Sequence, residues 1–255
     1  MLKNIRNFLT ETKYQLDFFD INKINDISTI LIIGDIPEGN KLCKNILKDK
    51  FGENYRSSGG IIIDPNHDNK KSTDESIIRI GFENSSIYDK IDDMNLDCYL
   101  NSDGKYVVFN NCFTYTFYKY IGKIINSRKI KIVITQFPYS IEQNYVKEID
   151  FIFVQNGDYY HSCKRIYDNY ANYKDMFKCF ENFNKLLNCV TKNCNYLVID
   201  NKADSVQLDK KFYYYGDRMN VKQTHISNFE PVEQVQVRVD DCNGTDLENN
   251  WCAIV

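Results

Sequence analysis

The chain has 255 residues, enough for one full α/β core with a tail, and its 32 Lys and Arg against 35 Asp and Glu create no overall basic field for nucleic acid. Nine cysteines without a C-x-x-C pair, and His67, His161 and His225 set far apart, argue against a disulfide framework or a metal cluster. No apolar run reaches the roughly 20 residues of a membrane span, and the opening residues lack the apolar run of a signal peptide, so an intracellular setting is expected.

Short apolar runs alternate with helical patterns, which predicts a parallel α/β sheet buried on both faces. The expected strands are 29–33, 60–63, 105–109, 131–135, 150–154 and 196–199, with a weaker one at 77–82 after the Asp64-Pro65-Asn66 turn. Between 111 and 131, Tyr115, Tyr118, Ile121, Ile124 and Ile125 recur at helical spacing and predict a crossover helix. Residues 159–170 and 175–190 predict two more helices, the second with Met176, Phe177, Phe180, Phe183, Leu186, Leu187 and Val190 on one face. Beyond residue 221 the periodicity fades, apart from Val232, Val235, Val237 and Val239, which alternate as one edge strand. The expected division is a domain over 1–220 and a polar flexible tail over 221–255.

The loop after the first strand holds Gly34 and Gly39 at the spacing of a phosphate loop, G-x-x-x-x-G-K-[ST]. Asn40 stands where that loop carries its lysine, and Lys41 where it carries its hydroxyl residue. Pro37 and Glu38 add a rigid turn and a negative charge. Two readings follow, an ordinary strand-to-helix turn or a decayed phosphate loop. The strand at 105–109 runs into Asn110 and Asn111, where a nucleotide hydrolase would place acids to support magnesium and to polarise the attacking water. A carboxamide has no charge for the metal and cannot accept a proton near neutral pH. The next strand ends in Thr135-Gln136, and a polar side chain at that tip could sense the γ-phosphate.

In order, these pieces resemble the FtsK-HerA-like genome-packaging ATPases of large double-stranded DNA viruses of eukaryotes. The resemblance spans roughly residues 28–218, with its most specific pieces at 149–154 (IDFIFV), 164–171 (KRIYDNYA), 196–201 (YLVIDN) and 210–215 (KKFYYY). It implies a P-loop-NTPase-like three-layer α/β sandwich with a mainly parallel central sheet. The family's lysine and hydroxyl fall on Asn40 and Lys41, its paired acids on Asn110 and Asn111, and a nearby arginine near Asn156, while the polar Gln136 is kept. Loss of the lysine alone removes a charge-assisted contact of about 1.5–3 kcal/mol. The expectation is therefore a pseudoenzyme with no catalytic residue and no cofactor, acting as a structural or interaction protein in virion assembly or at a host membrane. Its partners would be viral or host proteins, with nucleic acid disfavoured, in the host cytoplasm, a virus factory or the virion. The resemblance does not fix an oligomeric state. An active packaging ATPase with an atypical site, using ATP and magnesium, is the alternative within the same family.

The chain ends Cys252-Ala253-Ile254-Val255, a C-a-a-X form that would place a prenyl group on Cys252. Asn201, Lys202 and Asp204 have the N-K-x-D form with which Ras-like GTPases read guanine, which adds a second alternative: a degenerate GTPase-type switch using GTP and magnesium, with a prenylated tail.

Overall fold

The computed structural model describes residues 16–63, 77–80, 103–110, 126–136, 143–155, 160–177, 179–191 and 196–216. Asn111, the expected crossover helix at 115–125, Asn156, and the expected tail with Cys252 lie outside the described residues.

In chain order the strands are Asp17–Phe18 (β1), Thr29–Ile33 (β2), Gly60–Ile63 (β3), Ile77–Ile80 (β4), Tyr106–Asn110 (β5), Ile130–Thr135 (β6), Phe151–Val154 (β7), Tyr196–Asp200 (β8) and Phe212–Tyr215 (β9). They form one sheet in the order β1-β9-β8-β7-β2-β6-β5-β3-β4. Neighbours from β7 through β4 pair in parallel, whereas β8 runs antiparallel to both β7 and β9. One reversed strand therefore sits in an otherwise parallel sheet. The expected three-layer α/β sandwich around a mainly parallel central sheet is present.

The central strands are short β-branched runs because both of their faces are covered, and every residue of β2, β5 and β6 is buried. Leu31, Ile33, Val107, Phe109, Ile152 and Val154 face one layer. That layer holds the helices Tyr160–Ile166 (α3), which continues as a π-helical turn through Tyr167–Ala171, and Phe180–Thr191 (α4). The Tyr167 ring lies 5.7–6.3 Å from those of Phe177, Phe180 and Phe183, tying the π-turn to α4. Each such buried aromatic contributes about 1.5–3 kcal/mol.

The alternate residues Ile30, Ile32, Val108, Ile132, Ile134 and Phe153 face the helix Ile36–Phe51 (α1), through Leu42, Cys43, Ile46 and Leu47. Burial pushes the Cys43 thiol up to about 12, so it acts as a small apolar residue. The short helices Gln143–Val146 (α2) and Leu208–Lys211 (α5) lead toward β7 and β9.

The expected strands 29–33, 60–63, 105–109, 131–135, 150–154 and 196–199 all appear, with ends shifted by no more than one residue, and β4 falls within the weaker one; residues 81–82 of that strand and the expected edge strand at 232–239 lie outside the described residues. β1 and β9 were not expected as strands: β1 has two residues, and the Phe-Tyr-Tyr-Tyr run of β9 has no polar alternation to read.

Candidate functional site

In an open parallel sheet, ligands bind beyond the carboxyl ends of the strands, where the connections diverge. Here that rim is built by β7, β2, β6 and β5 side by side. Ile33 is level with Thr135 and Val154, and Asn110 with Ile134. β6 lies between the strand leading to the glycines and the strand ending in Asn110, so exposed Gln136, one residue past β6, stands between the two. Asn110 is 4% exposed and Thr135 fully buried.

The two glycines do not form a cradle. Only Gly34 and Asp35 separate β2 from α1, and the Gly39 N–H already donates to the Asp35 carbonyl at 2.8 Å, a helical bond. Residues 36–39, which would wrap a phosphate in a phosphate loop, are the first turn of the helix. The connection is a short strand-to-helix turn. Gly39 is required for a different reason: a Cβ there would lie 2.7 Å from Ile134 Cγ2 and 3.5 Å from Ile32 Cγ2, so the residue lets α1 press onto the sheet.

The helix start is also electrostatically unsuited to phosphate. Asp35 occupies the N-cap without a side-chain cap bond, Pro37 brings no N–H, and Glu38 adds a carboxylate that favours the helix dipole and repels an anion. Half-buried Asn40 and exposed Lys41 sit in the following turn, with Lys41 Nζ 3.8 Å from Glu38 Oε2. Gln155, absent from the sequence reading, completes this rim. Its N–H donates to the Ile33 carbonyl at 2.9 Å, and its side-chain Oε1 accepts from the Asp35 N–H at 3.2 Å.

Asn201, Lys202 and Asp204 lie elsewhere. Because β8 is reversed, Asp200 is level with Phe151, at the start of β7, and the segment after it emerges at the opposite rim from Gly34. The expected guanine set and the expected phosphate loop therefore do not share one site. Asn201 Nδ2 donates to the carbonyls of Val146 and Ile149 at 2.8 and 2.9 Å, and Lys202 Nζ to that of Lys147 at 2.5 Å. Asp204 accepts from Lys174 Nζ at 2.8 Å and from the Tyr173 hydroxyl, and these partners hold its carboxyl below the usual range.

Further groups gather at this second rim. Asp150 Oδ2 accepts the Thr29 N–H at 2.7 Å. Asp200 Oδ1 accepts the N–H groups of Lys202 and Ala203 at 3.2 and 3.1 Å, while its Oδ2 lies 3.8 Å from Lys23 Nζ. The Asp200 carbonyl takes Lys211 Nζ at 3.2 Å, and Lys131 Nζ donates to the carbonyls of Ile27 and Ser127 at 2.6 and 3.1 Å. Lys131 and Lys211 are each 1% exposed. Burial lowers both ammonium pKa values, opposed by Asp150 for the first and by Asp200 and Asp204 for the second. A lysine in the apolar run Ile-Lys-Ile-Val-Ile-Thr was the one local signal of this network.

Among the described residues no three His, Cys, Asp or Glu side chains are placed to hold a metal ion, and no helix is long and apolar enough to cross a membrane.

The fold is similar to that of the DNA-packaging ATPase from Sulfolobus turreted icosahedral virus, at 13% identity over 76% of this chain and 98% of that one, with a TM-score of 0.53. It is also similar to the genome packaging NTPase from Sulfolobus turreted icosahedral virus 2, solved in complex with AMPPCP (12% identity, 75% and 98% covered, TM-score 0.50) and with AMP (12%, 76% and 98%, 0.50). At this identity the likeness is one of fold. No protein-family model and no curated protein sequence matches the chain.

Proposed function

We propose that this chain is a catalytically silent relative of viral genome-packaging ATPases that serves as a structural or interaction protein. The observation that carries the reading is the start of α1 at Ile36: the segment that should cradle phosphate is helical. A helix beginning there offers no ring of backbone N–H groups around a β-phosphate, and Asn40 supplies no cation to replace the missing lysine. Buried Asn110 supports the same reading, since a neutral carboxamide there brings no charge to a magnesium shell and cannot take a proton from water.

What is kept is a rigid three-layer body, and its role is to present surfaces to viral or host proteins during virion assembly or at a host membrane. The sequence over 221–255 is polar, and a prenyl group on Cys252 would supply weak membrane attachment. A mass shift on Cys252 in eukaryotic cells, lost in Cys252→Ser, tests that attachment.

The central test is a titration of the purified protein with ATP and GTP, with and without magnesium, together with a turnover assay. The proposal expects no binding and no turnover. Magnesium-dependent ATP binding with turnover would replace it by an active packaging ATPase with an atypical site.

A further inference from the structure

Two observations at the carboxyl rim have a single cause. Gly34 has none of the left-handed torsion that demands glycine, because among the described glycines only Gly52 and Gly59 have positive φ. It is glycine for space: a Cβ would meet Gln155 Oε1 at 2.6 Å and Gln155 Cβ at 2.8 Å. The same oxygen accepts the N–H of Asp35, the N-cap of α1, at the end of the helix where backbone N–H groups would face an anion.

We infer that Gln155 is a built-in occupant of the rim, an internal amide ligand that takes this N–H and closes the β2–α1 junction against an external anion. The inference rests on the silent reading above and deepens it. The site is not merely stripped of catalytic groups, because the chain itself fills it. A carboxamide suits the task. Its oxygen accepts a backbone N–H as a phosphate oxygen would, yet it brings no charge beside Asp35 and Glu38. Main-chain pairing of Gln155 with Ile33 fixes where its side chain starts, so little freedom is lost in reaching Asp35. The contact also joins β7 to the junction, which makes the helix start dependent on a strand that lies more than a hundred residues further along the chain.

The test uses the full chain in three variants. Gln155→Met keeps the bulk and removes the acceptor, so the Asp35 amide should exchange with solvent about tenfold faster while the fold is retained. Gly34→Ala should lower Tm by several degrees in the wild type and by clearly less in a Gln155→Gly background, because the clashing group is then gone. Unchanged Asp35 exchange in Gln155→Met, or equal Tm losses for Gly34→Ala in both backgrounds, would overturn the occupant role. Binding of magnesium–ATPγS by the wild-type chain instead overturns the silent reading, so the two ideas fail separately.

Discussion

The two rims of the sheet use their polar residues in opposite ways. At the amino rim Asp150, Asp200, Asn201, Lys131, Lys202 and Lys211 engage backbone groups of neighbouring segments, and two of the lysines are buried. At the carboxyl rim the side chains in the corresponding places are carboxamides, Asn110, Gln136 and Gln155, beside a helix start that carries two acids. Buried and backbone-engaging charge gathers where the reversed strand β8 is held, whereas the charges of the carboxyl rim, Asp35, Glu38 and Lys41, belong to the start of α1. Two of the pieces that carry the family resemblance, 149–154 and 196–201, pair along their length as β7 and β8, and their polar ends, Asp150 with Asp200 and Asn201, lie at the amino rim. There Asp150, Asp200 and Asn201 engage backbone groups and brace the reversed strand.

The contrast breaks most readily at Asn201. Asn201→Leu leaves two inward carbonyls without their donor, which should cost about 2–4 kcal/mol and lower Tm by several degrees. An unchanged melting curve would mean that the brace holds nothing. A second test is steric and sits at the other rim. Gly39→Val drives a side chain into Ile134 and should destabilise by about 1–3 kcal/mol in urea unfolding. If Gly39 served phosphate instead, the variant would unfold like the wild type and differ only in nucleotide affinity.

The third test reads pH. Burial holds the Lys131 ammonium below its ordinary value of 10.5, so between the lowered value and 10.5 the unfolded chain binds more protons than the folded one. Stability from this site therefore rises with pH through that window. In Lys131→Met the rise is absent, and the stability gap between wild type and variant should widen as pH approaches 10.5. A gap that stays constant would show that the folded protein does not perturb this lysine. The smallest effect belongs to Lys41→Ala, which removes only an exposed pair with Glu38: less than about 0.5 kcal/mol is expected, with nucleotide binding absent before and after. A larger loss would make the α1 start a charged brace like its counterpart.

The parallel strands were legible because Thr-Ile-Leu-Ile-Ile and Ile-Lys-Ile-Val-Ile-Thr are short, apolar and β-branched, a pattern that sheet burial alone imposes. Strand direction was not legible, since an apolar run reads the same either way. The N-K-x-D form of Asn201, Lys202 and Asp204 therefore did not tell on which rim the segment lies, and the reversal of β8 sets it opposite Gly34. The glycine pair left two readings open for a related reason: a spacing of five suits a loop around phosphate and equally a turn followed by helix. Gln155 gave no signal, as one glutamine after a strand has no period. β1 is two residues long and pairs with Tyr213 and Tyr214, far along the chain, so only the folded protein defines it.

The seat of Gly39 against Ile134 has an evolutionary consequence. Amides and acids at an exposed rim can be exchanged by drift once no ligand selects among them. A glycine whose missing side chain lets a helix lie on its sheet cannot be exchanged that way, because each replacement is removed for instability. On the silent reading proposed above, such a residue would outlast any chemistry that had given it a second use. The most durable trace of a lost nucleotide site can then be the one position that no longer has anything to do with nucleotides.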